Sequence, residues 1–89
     1  MKFGILAANT MPFATPDGAA ALAGAAEASG FESLWTAEHI LWPDTYDSPY
    51  PYAESGLPGK DDDWPSPFVV LAFAAAVTKR IKLGTCVTI

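Results

Sequence analysis

Two short signatures, Thr15-Pro16-Asp17 and Ser66-Pro67, each put a hydroxyl-bearing residue directly before a proline. A helix begins well this way. The hydroxyl caps a free backbone N–H, and proline, which has no N–H to satisfy, suits the first helical position. After the first signature, Ala19, Leu22, Ala23 and Ala26 recur at helical spacing, and Gly30 follows as a stop. After the second, an apolar helix is predicted over residues 68–78, with Lys79 and Arg80 in its last turn, where cations favour the dipole. Short apolar runs at residues 2–8, 33–36 and 81–88 flank these helices and read as strands, the first buried on both faces. Strand, helix, strand, loop, helix, strand is the alternation of a parallel α/β sheet. Three strands and two helices leave a sheet edge open and one face uncovered, the pattern of part of a larger fold.

The remaining residues bound the function. A chain of 89 residues, 51% of them apolar, makes one small domain, burying roughly 60–65% of the surface its unfolded form exposes. A net charge of −5 with no basic patch argues against nucleic acid or an anionic membrane as partner. One cysteine permits no internal disulfide. No secretory leader is evident, and the longest apolar run, residues 68–77, is too short to span a bilayer, so a cytoplasmic protein is expected. The stretch between strand and second helix, residues 37–65, is long for a structureless connection and suggests binding.

His39, the only histidine, lies just past the second strand. Histidine is the residue type suited to proton transfer near neutral pH, and this one lies at the strand end where α/β folds keep their chemistry. A loop histidine bonded only to backbone is the plainer alternative. Glu38 beside it reads equally as a catalytic carboxylate, an orienting partner or a solvated charge. Trp35, inside the second strand, reads as core. Trp42, Tyr46, Tyr50 and Tyr52 either wall a pocket or pack a proline-rich loop. Asn9 and Thr10 end the first strand at the same edge, within reach of a ligand or as an ordinary turn pair. Cys86 reads as a small buried hydrophobe rather than a nucleophile.

Several chemistries are disfavoured. The loop after the first strand has neither G-x-G-x-x-G nor G-x-x-x-x-G-K, so a Rossmann start or a P-loop is unlike it. A metal at Glu38-His39 with Asp44 or Asp47 lacks further imidazoles. Asp61-Asp62-Asp63 lacks the regular acidic spacing of a calcium loop and reads as a solvated turn.

The segments Met1-Lys2-Phe3-Gly4-Ile5-Leu6, Gly30-Phe31-Glu32-Ser33-Leu34-Trp35 with Glu38-His39, and Arg80-Ile81-Lys82-Leu83-Gly84-Thr85 together resemble the start of a luciferase-like monooxygenase. More narrowly, they resemble its branch of oxidoreductases dependent on the deazaflavin coenzyme F420. The insert Tyr46-Asp47-Ser48-Pro49-Tyr50-Pro51-Tyr52, followed by Gly56-Leu57-Pro58-Gly59, is similar to one subgroup of that branch. The resemblance covers the whole chain and implies the first three strands and two helices of a TIM (β/α)8 barrel, an N-terminal fragment over residues 1–89.

It also implies roles. His39 would face the reactive ring, binding substrate or moving a proton, and Glu38 would stand beside it. Cys86-Val87 would form a non-proline cis peptide supporting the ring, with Asn9 as a further cofactor contact. Trp42 stands one residue before the place where some relatives carry a pocket tryptophan. The implied reaction is hydride transfer between coenzyme F420 and a small organic substrate, activity being expected of a whole barrel rather than of these residues alone. Two alternatives stay open: flavin mononucleotide (FMN) with oxygen, and an inactive truncated product or a module docking with a complementing chain. Partners expected are the small-molecule substrate and a second copy or complementing chain.

Overall fold

The computed structural model describes residues 1–49, 51 and 63–88. Three parallel strands run in the order β1 (Gly4–Ile5), β2 (Ser33–Thr36), β3 (Lys82–Thr85), with α1 (Pro16–Ala28) and α2 (Pro67–Val77) between them in sequence. Gly4 pairs with Ser33, Leu34 with Leu83 and Trp35 with Gly84.

This register sorts the side chains. Leu34 and Thr36 of β2 are buried beneath the helices, and Ile5 and Leu83 pack beside Leu34. Ala23 and Ala26 of α1, Ala74 of α2, Ala8 and Ile81 complete that core. Most helix residues in the core are alanines, so little side chain separates α1 and α2 from the sheet. Burying Leu34 fully contributes about 1.5–3 kcal/mol.

None of the described helices covers the opposite face. Trp35 is 40% exposed there, its indole N–H donating to Ser33 Oγ at 2.9 Å. It is therefore not core as expected, because alternation along β2 sends Leu34 and Thr36, not Trp35, toward the helices. The ring lies along the sheet surface: a Cβ added at Gly84 would meet its Cζ3 at 2.5 Å. Glycine on β3 makes room for the indole.

Local chemistry explains the helix ends. Thr15 Oγ1 accepts from Gly18 N at 3.1 Å, the expected cap, and Gly30 adopts φ 82°, where a Cβ would be strained. At α2 the expectation fails in part. Ser66 makes no side-chain cap bond, and the helix ends at Val77, so Lys79 and Arg80 lie beyond its last turn. Their backbone N–H groups, with that of Ile81, donate instead to the Glu27 carboxylate of α1, at 2.6 Å for Arg80.

Both outer strands are shorter than expected. Ala7 turns left-handed (φ 59°), so only Gly4–Ile5 of residues 2–8 joins the ladder. Phe3 and Leu6 are exposed rather than buried on both faces, because helices cover one side only. Strand β3 ends at Thr85, before the peptide between Cys86 and Val87, which is cis, as is that between Met11 and Pro12. Cys86 is exposed, not the buried hydrophobe expected, since it lies past the strand.

Candidate active site at the carboxyl edge of the sheet

All three strands end at one edge, and hydrogen bonds fasten those ends together. Ala8 N donates to Trp35 O at 2.9 Å, and Cys86 N to Thr36 O at 2.8 Å. Asn9, fully buried, accepts from Ala37 N at 2.8 Å through Oδ1. Its Nδ2 donates to Ala37 O at 2.7 Å and to Pro65 O at 3.2 Å. Thr36 Oγ1 is buried here with no hydrogen-bond partner among the described residues.

His39 emerges from this edge and is exposed. Its ring stacks on Trp42, with centroids 3.9 Å apart and planes 12° from parallel. Trp64 meets both rings edge-on, at 5.6 Å from His39 and 5.5 Å from Trp42. Stacked and edge-to-face pairs of this kind are mutually attractive. A small cleft of about 70 Å³ opens beside them, one wall formed by Ala37, Glu38, His39 and Ile40, the other by Trp64, Pro65, Ser66 and Pro67. The amino end of α2, without a side-chain cap, thus borders the same cleft as His39.

The fold brings His39, Glu38 and Trp42 to one place. It puts Val87, 70% exposed, past a strand end that is tied to Thr36, three residues before His39. Tyr46 is exposed, whereas Tyr50 and Tyr52, the segment 56–59 and Asp61-Asp62 lie outside the described residues. Sequence reasoning missed Trp64. The signal was available: Trp64 directly precedes the α2 start, and a parallel sheet gathers the loops that leave strands and enter helices at one edge.

Charge is segregated. Lys2, Lys79, Arg80 and Lys82 precede or begin their strands, at the amino edge. There Glu32 bridges Lys2 at 3.0 Å and Lys82 at 2.9 Å, and these partners, Lys82 foremost, hold its carboxyl below the usual range. The carboxyl edge presents rings, backbone and the Glu38 carboxylate, with none of the described cations. Among the described residues no group of three or more His, Cys, Asp or Glu can hold a metal ion, and no helix is long and apolar enough to cross a membrane.

In (β/α)8 enzymes the active site lies at the carboxyl ends of the strands, and His39 follows such an end by three residues. Comparison with known families matches residues 1–89 to the model described as luciferase-like monooxygenase. The chain belongs to the luciferase-like monooxygenase family. No curated protein and no solved structure matches it. The three parallel strands and two helices of this luciferase-like chain correspond to the N-terminal part of the family's TIM barrel. The family works with FMN or coenzyme F420.

Proposed function

We propose that this chain provides the ring-facing part of an F420-dependent oxidoreductase, with residues 1–89 in the place of the first three strands of a (β/α)8 barrel. The observation that carries the reading is the His39–Trp42–Trp64 cluster at the carboxyl edge of the sheet. The preference for F420 over FMN rests on the sequence motifs around Glu38-His39 and on the tyrosine-rich insert.

The residues present fit the flat end of such a coenzyme. Val87 and Cys86 are exposed past the β3 end, and the His39 segment leaves the adjacent β2 end. The described cations sit at the opposite edge, so these residues serve the ring rather than an anionic tail. The bound deazaflavin supplies the hydride chemistry, while the protein supplies orientation.

His39 is the group that touches the substrate. A ring nitrogen holds the hydroxyl or carbonyl oxygen of a small organic substrate and takes or returns its proton as the carbon loses or gains hydride. Trp42 stacks on the imidazole and Trp64 meets it edge-on. Glu38, on the same cleft wall, adds a carboxylate beside the imidazole.

Titrating the chain with coenzyme F420 and separately with FMN, while following tryptophan emission, tests this. F420 should quench at concentrations at least about tenfold lower than FMN, roughly 1.4 kcal/mol of discrimination, and His39→Ala should weaken the response. Equal or tighter FMN binding rejects the coenzyme assignment. An unchanged response in His39→Ala rejects the role of the imidazole.

A further inference from the structure

We infer that Asn9 is the positioning residue of this site, a strut holding the two walls of the His39–Trp64 cleft at a fixed separation. The inference rests on the reading that this cleft is the working site, and it assigns Asn9 a role other than contact with coenzyme.

The cleft has two walls from distant parts of the chain: residues 37–40 leaving β2 and residues 64–67 entering α2. Asn9 bonds to one residue in each. Its Oδ1 accepts from Ala37 N at 2.8 Å, and its Nδ2 donates to Ala37 O at 2.7 Å and to Pro65 O at 3.2 Å. Ala37 stands two residues before His39, and Pro65 directly follows Trp64.

A carboxamide suits this task because it offers an acceptor and two donors from one short side chain. Both Nδ2 hydrogens are engaged and the residue is 0% exposed, so no N–H is left to offer a ligand. Aspartate keeps the acceptor for Ala37 N but has no donor for Ala37 O or Pro65 O. Alanine loses everything. Asn9 acts through the attitude of the two rings rather than by touching substrate.

The test is proton NMR of the 89-residue chain. Aromatic neighbours displace the His39 Cε1–H and Trp64 ring resonances, and those displacements report the cluster directly. In Asn9→Asp most of the displacement should vanish. Thr10→Ala is the control, since Thr10 Oγ1 donates to Ala7 O at 2.8 Å in the same loop and, through that bond, to neither wall. It should keep the displacement even where its melting temperature drops.

Unchanged ring shifts in folded Asn9→Asp, or equal losses in Asn9→Asp and Thr10→Ala, overturn the inference. Should Asn9→Asp not fold, the wild-type chain decides. A scalar coupling across the hydrogen bond from Asn9 Nδ2 to the Pro65 carbonyl carbon supports the strut, and its absence overturns it. A null coenzyme titration would sink the functional reading yet leave these ring shifts untouched, so the two failures are separable.

Discussion

Glu27 shows how much one carboxylate organises. It accepts from the N–H groups of Ile81, Arg80 and Lys79, and these bonds, Ile81's foremost, hold its carboxyl at about 2 instead of 4.5. A carboxyl depressed in the folded state stabilises fully above its unfolded value and loses that contribution as pH falls through the folded one. The melting temperature should therefore fall as pH drops from about 4.5 toward 2, and Glu27→Gln should flatten that slope in a thermal scan. Glu32, lowered by Lys82 and Lys2, leaves a residual slope in the same acid range. An identical slope in Glu27→Gln would contradict the assignment.

At Gly84, an added methyl would sit 2.5 Å from the Trp35 ring. Gly84→Ala should push that half-exposed indole outward, costing about 1 kcal/mol in urea denaturation, with Trp35 more open to acrylamide quenching. Unchanged stability and quenching would contradict the packing. Neither feature was legible in the sequence. Glu27 reads as an exposed helical acid until tertiary structure brings residues 79–81 to it, and Gly84 reads as an ordinary strand glycine.

Local chemistry was the readable part at the level of elements. Thr15-Pro16 and Ser66-Pro67 mark the starts of α1 and α2, and β2 spans residues 33–36 as its composition suggested. These signals act within a few residues of themselves, so they need no knowledge of the fold. Strand lengths were less legible, because a left-handed Ala7 and the turn after Thr85 set where pairing stops. The two caps also differ in a way that sequence alone does not show. Thr15→Ala removes an observed bond to Gly18 N and should destabilise by about 1 kcal/mol. Ser66→Ala removes no cap bond and should stay within about 0.5 kcal/mol. Urea midpoints of the two variants check this, and equal losses would contradict the distinction.

The whole molecule is a sheet with two chemically distinct edges and one covered face. Its amino edge carries the described cations and the Glu32 bridges, and its carboxyl edge carries the strand-end hydrogen bonds and the aromatic cluster. His39 at the carboxyl edge was legible because alternation of strands and helices makes all the strands end at one edge. Trp64 could be placed at the same edge from its position just before α2, but its ring contact with His39 could not, since that depends on how the 37–65 connection returns. We propose that the carboxyl edge receives the coenzyme ring. Mapping amide and aromatic NMR shifts of the 89-residue chain during titration with coenzyme F420 tests it most directly. Perturbations should be confined to His39, Trp42, Trp64 and the residues around Val87. Shifts centred on Lys2, Lys79, Arg80 and Lys82, or none anywhere, would contradict it.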